Sequence, residues 1–295
     1  MAQPGSGAVA NAGLVDLGES ILVFDTSQTQ QAARELWDVA FHHLKKPVSH
    51  VVNSHWHGDH IRGNQVFSGA AIIASQRTRQ LMERHHPQRI ADQRARMQSG
   101  ELAAVIQDLD EALNLGEDND GQRLSLRYQA SFLRQLEKSL PTLELALPTE
   151  TFNSWWGLAG SRRRIELREF GPGHTESDVV LDVSHQGICF VGDLVAVQSH
   201  MRVIDGDVDG WINTLTQLKT WEVNRLVPGH GPVTRTPDWN GIIGYLVEMQ
   251  EVAGRLSREG RDPSQVSESD IPSRYRSWSD SSVYVDSLRH LMSQN

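Results

Sequence analysis

Residues 54–60 read Ser-His-Trp-His-Gly-Asp-His, directly after the apolar stretch Val48-Ser49-His50-Val51-Val52. Three imidazoles and one carboxylate therefore fall within six residues. Side chains alternate along an extended chain, so His55 and His57 can face the same metal ion. Asp59 and His60 follow where the chain is expected to curl into a helix, aiming at a second point close by. Gly58 is expected to permit the sharp bend between the two pairs. Imidazole nitrogen and carboxylate oxygen are the donors that zinc takes. A lone His-X-His reads first as a polar surface turn, but Asp-His appended behind a strand turns the balance toward metal binding.

Three later segments share one layout, a short apolar strand followed by a glycine-rich turn with a ligand type in it. They are Gly171-Pro172-Gly173-His174-Thr175, Gly192-Asp193-Leu194 and Pro228-Gly229-His230-Gly231. Each glycine cluster lets backbone approach a crowded centre, and each turn is expected to end a strand on one rim of a sheet. Singly, each reads as a turn with an incidental polar residue; together and in this order they read as further ligands.

His55-X-His57-X-Asp59-His60, then His174, Asp193 and His230, resemble the five-motif signature of the metallo-β-lactamase superfamily. The resemblance runs over about residues 11–233, apart from a helical insertion. It implies an α/β fold, the four-layer αββα sandwich, with two metals at one edge between two sheets. It also implies that His55, His57 and His174 hold the first metal and that Asp59, His60 and His230 hold the second, with Asp193 bridging. The implied cofactors are two divalent ions, zinc foremost, with iron or manganese as alternatives.

The chemistry implied is hydrolysis. Three neutral imidazoles leave the first metal fully cationic, with a position open for water whose pKa falls from about 15.7 to about 7. Hydroxide held between the metals attacks a carbonyl, Asp59 orients it and accepts its proton, and the metals stabilise the developing anion. No Gly-X-Ser-X-Gly elbow is present, so no serine nucleophile is expected.

The branch of β-lactamases that uses cysteine at the second metal has it near the position of Asp193, and a second branch lacks the bridging aspartate. Asp193 instead resembles glyoxalase II and lactonases. Asp205-Gly206-Asp207 and Trp211 make the chain look most like zinc hydrolases found beside sulfur-oxidation and quinoprotein systems. The expected substrate is therefore a small molecule with an ester, thioester, lactone or related acyl bond. Amide hydrolysis of the β-lactamase kind is the alternative within the class, and a mononuclear iron persulfide dioxygenase the alternative outside it.

Other residues carry weaker expectations. Asp178 is weighed as a carboxylate partner for a ligand histidine. His200 and Trp211 are candidate substrate contacts, against a surface histidine and a core tryptophan; Trp155 and Trp156 are expected to pack. His42, His43, His85, His86, His185 and His290 lack partners at ligand spacing and are expected to face solvent. Cys189 reads as a small core residue.

The elements that must position these residues are legible from pattern. Strands are expected near 8–17, 21–25, 48–52 and 70–74, with a helix over 30–44. Residues of about 75–140 have almost no glycine and keep helical periodicity, as in Leu102, Val105, Ile106, Leu109 and Leu113. They read as an all-helical insertion, a cap over the site or plain connecting helices. Strands return near 155–156, 164–170, 179–183, 188–191 and 225–227, with helices at 211–221, 239–258 and about 272–292. One superfamily-like domain over 1–295, with C-terminal helices from about 236, accounts for the chain.

Composition sets the outer bounds. The 295 residues, 38% hydrophobic and 22% charged, are those of a soluble globular chain. A formal net charge of -9 argues against a nucleic-acid partner. One cysteine excludes an internal disulfide framework, and no run approaches the roughly 20 apolar residues of a membrane span. The first residues lack a basic flank and an apolar stretch, so they do not read as a signal peptide. Compartment, cytoplasmic or periplasmic with a leader removed, and oligomeric state stay open.

Overall fold

Short runs of Val, Ile, Leu and Ala, punctuated by turn residues, build two five-stranded sheets with helices beside each. The computed structural model describes residues 2–3, 5–115, 120–235 and 237–294. Within the expected insertion 116–119, and within the expected C-terminal region 236 and 295, lie outside the described residues. The chain divides into two compact units, Met1–Phe152 with Leu158–Arg164, and Asn153–Gly157 with Ile165–Asn295.

In the first unit the sheet order is β1-β2-β3-β4-β5, from Gly13–Asp16, Ile21–Phe24, Val48–Val52, Ala71–Ser75 and Glu150–Phe152. β1 and β2 form an antiparallel hairpin, and β2 through β5 run parallel. All four residues of β2 are buried, as expected for a strand covered on both faces. Helix α1, Gln30–Asp38, starts on the Thr29 side chain, which accepts from the Ala32 N–H, and runs on as a π-turn over Val39–His43. Helix α2, Gly58–Ile61, is the single turn that carries Asp59 and His60.

The insertion is all-helical, with α3 over Gln76–Gln98, α4 over Glu101–Leu115 and α5 over Asp120–Ser139. Ser75 caps α3 by accepting the Thr78 N–H at 2.9 Å. Leu81 and Met82 of α3 bury against Trp56 and Ile61, so the insertion packs directly on the histidine-rich turn. Ile90, Leu136, Leu140 and Leu143 tie α3 to α5. Strand β5 was not expected from the sequence: three residues, two of them exposed, leave no periodic signal.

The second sheet has the order β10-β9-β8-β7-β6, from Arg225–His230, Ile188–Ala196, Val179–Val183, Arg164–Glu169 and Trp155–Ala159. β10 and β9 are parallel, while β9, β8 and β7 are antiparallel. Helices α6 (Val208–Leu218), α7 (Trp239–Arg258) and α8 (Ser281–Ser293) bury Trp211, Leu215, Tyr245, Met249 and Leu288 in one core with Val191 and Leu194. Asp207 starts α6 three residues before the expected Trp211, because its side chain accepts the Gly210 N–H at 3.0 Å. The helix expected over 272–292 is interrupted: Asp280 is left-handed, φ 65°, and α8 begins after it. Among the described residues no helix is long and apolar enough to cross a membrane.

The expected class is met, a mixed α/β chain with the two sheets and flanking helices of the αββα sandwich.

Candidate functional site

The histidine-rich turn is held from below by Asp25. This residue ends β2 in the left-handed region, φ 59°, and is 1% exposed. Parallel pairing sets Phe24 beside Val52, which brings Asp25 to the start of the turn. Its Oδ1 accepts the Ser54 N–H at 2.7 Å, and its Oδ2 accepts the Ser54 hydroxyl at 2.8 Å. Nδ1 of His60 lies 2.7 Å from Oδ2. Burial pushes the Asp25 carboxyl up, against the opposing pull of His60 and the Ser54 donors.

These bonds choose tautomers. With its proton given to Asp25, Ser54 Oγ accepts from Nδ1 of His55 at 2.9 Å. His60 likewise gives its Nδ1 proton to Asp25, so both rings keep the Nε2 lone pair for another partner. The His55 and His57 ring centroids are 4.7 Å apart, and those of His55 and His60 are 4.2 Å apart. Nε2 of His60 lies 3.6 Å from Asp59 Oδ2. The chain is extended at His57 (ψ 150°) and helical from Gly58 on, as expected. Gly58 itself differs from expectation. Its φ is not among the positive values; what a side chain there would meet is the Arg62 side chain, with Nε 2.8 Å from the β-carbon position.

The second unit gathers His174, Asp193 and His230. His174 Nδ1 lies 3.0 Å from the Arg202 carbonyl, which only accepts, so the proton is on Nδ1 and the lone pair on Nε2. That Nε2 lies 3.3 Å from Asp193 Oδ2, and Nε2 of His230 lies 3.3 Å from the same oxygen. Asp193 is inside β9 rather than on a turn after it. A register shift opposite Pro228 breaks the β9–β10 ladder beside it, the kind of bulge that re-aims a side chain. Gly229 leaves the room: a β-carbon there would be 1.9 Å from Asp193 Oδ1.

The sequence model of the metallo-beta-lactamase superfamily matches residues 5–230. The chain belongs to the metallo-beta-lactamase superfamily. Among solved structures, a metallo-beta-lactamase from Pontibacter korlensis superposes with a TM-score of 0.57 at 20% identity, covering 79% of this chain and 85% of that one. At that identity the likeness is one of fold. No curated protein matches the chain.

All seven residues of the superfamily-like signature thus lie in two compact clusters, His55, His57, Asp59 and His60 in one unit and His174, Asp193 and His230 in the other. Several weaker expectations are corrected. Asp178 does not receive the His174 ring; it accepts the Thr175 N–H and hydroxyl, each at 2.9 Å, and so shapes the turn that carries His174. Burial lifts its carboxyl to about 7. His200 is 5% exposed, with Nδ1 3.0 Å from the Tyr245 hydroxyl, inside a cluster with Trp278 and Tyr284. Trp211 is wholly buried, donates to the Leu194 carbonyl at 3.0 Å and stands edge-on to the His174 ring. Trp211, on the buried face of α6, is the core tryptophan of the two readings, and His200 is neither at the surface nor open to a ligand because Tyr245 of α7, Trp278 and Tyr284 of α8 enclose it.

His86, expected in solvent, is 1% exposed, and its Nε2 lies 2.6 Å from the Trp56 carbonyl. Burial lowers its pKa to about 4. The residues missed from sequence are therefore Asp25 and His86. A carboxylate directly after an apolar strand was the available signal for Asp25; His86 offered none, since only the docking of α3 brings it to the turn.

Proposed function

We propose that the chain is a dinuclear metal-dependent hydrolase of small acyl compounds, with His55, His57 and His174 on one ion, Asp59, His60 and His230 on the other, and Asp193 shared. The observation that carries this reading is the pair of 3.3 Å separations from Asp193 Oδ2 to Nε2 of His174 and of His230. His174 Nε2 carries a lone pair, so it faces a carboxylate oxygen with no proton between them, which is repulsive unless a cation intervenes. Two ligands at about 2.05 Å from a tetrahedral zinc stand roughly 3.3 Å apart. The donor set, imidazole and carboxylate without thiolate, suits zinc and admits iron or manganese.

When bound, such ions supply hydroxide near neutral pH and polarise the substrate oxygen. Asp59, half-buried at the start of α2, is the residue that orients the nucleophile and takes its proton. Asp25, Ser54 and the Arg202 carbonyl hold three imidazoles in the tautomer that binds metal. The absence of cysteine beside Asp193 favours ester, thioester or lactone substrates over β-lactams.

A panel of chromogenic esters, thioesters, lactones and a cephalosporin, run with and without chelator, tests the reading. Chelator-sensitive turnover of an acyl ester, thioester or lactone is expected, with metal content near two equivalents. Turnover strongest on the cephalosporin, activity confined to phosphodiesters, or a single iron with oxygen uptake overturns it.

A further inference from the structure

Arg62 is a buried arginine beside Asp59 whose guanidinium is only partly hydrogen-bonded. It follows His60 by two residues and forms the C-cap of α2. It is 4% exposed, and neither Nε nor Nη1 has a hydrogen-bond partner. Buried donors of this kind are rare in folded proteins, and water, an ion or a ligand group is what ordinarily meets them. The side chain folds back on its own turn: Nε is 2.8 Å and Gln28 Oε1 3.1 Å from the point a β-carbon on Gly58 would occupy. Gly58 separates His57 from Asp59, so the guanidinium lies against the backbone of the metal-binding turn.

Its surroundings add positive charge. The Arg89 guanidinium of α3 stands 4.4 Å from the centre of the Trp56 ring. Burial draws the Arg62 pKa down to about 10, Asp59 pulls it back up, and Arg89 adds to the lowering. In a chain of net charge -9 this corner sets two guanidiniums against the single carboxylate of Asp59, the candidate nucleophile-orienting residue. A guanidinium stays charged there at neutral pH and discriminates strongly for oxyanions.

We propose that Arg62, with Arg89 beside it, is the subsite for the carboxylate of an acyl substrate that carries its own negative charge. This deepens the hydrolase reading above and rests on it for the word substrate. Gly58 is then glycine to leave room for the guanidinium, and α3 is the element that completes the corner.

The test uses the zinc-loaded full chain with 4-nitrophenyl acetate, which is neutral, and mono-4-nitrophenyl glutarate, which keeps a free carboxylate. The wild type is expected to prefer the charged ester at least tenfold in kcat/KM. In Arg62→Met that ratio collapses toward one, mostly through KM, and Arg62→Lys retains part of it. As a readout without turnover, glutarate is expected to raise the Tm of the wild type and not of Arg62→Met, while glutaramide raises neither. If Arg62→Met does not fold, Arg62→Lys and Arg89→Gln carry the test, each lowering the ratio several-fold. Ratios and Tm shifts that are unchanged across the folded variants overturn the subsite. Ester turnover with no preference for charge removes the subsite and leaves the hydrolase standing. An Arg62-dependent Tm shift with no ester turnover keeps the subsite and removes the acyl reading.

Discussion

Asp25 holds Nδ1 of His60 at 2.7 Å while the same carboxylate takes both donors of Ser54. One buried acid therefore sets the orientation of His60 directly and of His55 through Ser54. Asp25→Asn keeps the shape but puts a donor where either His60 or Ser54 needs an acceptor. Metal affinity is expected to fall about 10–100-fold, the usual cost of losing a partner behind a ligand histidine. Competition with a chromophoric chelator measures it, and an unchanged affinity would show that the pair serves the fold alone.

Gly229→Ala tests the position of Asp193 without removing a ligand. The added methyl would lie 1.9 Å from Asp193 Oδ1, with the Gly192 backbone at 2.8 Å, so the carboxylate has to move. Metal content is expected to fall from about two equivalents toward one, as in Asp193→Ala. Elemental analysis of both variants decides it; full occupancy in Gly229→Ala would mean the carboxylate shifts without cost.

His86 makes stability depend on pH. Its folded pKa, about 4, is below the ordinary 6.5 because burial disfavours the cation. The folded state therefore binds fewer protons than the unfolded one across this window. Stability is whole above pH 6.5, declines as pH falls from 6.5 to 4, and has lost this contribution below 4, on the order of 3 kcal/mol at most. Urea melts at pH 7 and pH 5 are expected to show the loss in the wild type and a flatter profile in His86→Gln.

Trp211→Phe should separate support from binding. The change leaves the Leu194 carbonyl without its indole donor and opens space behind His174. A cost of about 1–3 kcal/mol in denaturant unfolding is expected for the orphaned acceptor. Since Trp211 is fully buried, KM for small esters is expected to stay within twofold of the wild type. A KM change with stability intact would return Trp211 to the substrate pocket.

Local chemistry was enough to single out the candidate donors, because residue type and spacing are properties of a few adjacent residues. His55-X-His57-X-Asp59-His60 declares itself on one turn, and continuous apolar or helical runs such as Ile21–Phe24 and Trp239–Arg258 appear where expected. What depends on partners distant in sequence was not legible. His86 reaches the Trp56 carbonyl only because Leu81 and Met82 dock α3, and Asp25 becomes a histidine partner only because β2 pairs in parallel with β3. His200 and Trp211 carry polar atoms that suggest a site, yet helix packing buried both. The glycine at 58 was foreseen for its flexibility, and it also leaves space for the Arg62 side chain, a long-side-chain contact that no spacing rule encodes. Pattern selects donors and periodic faces; burial, tautomer and close approach come from tertiary packing, because each is a relation between side chains that the chain order does not hold together.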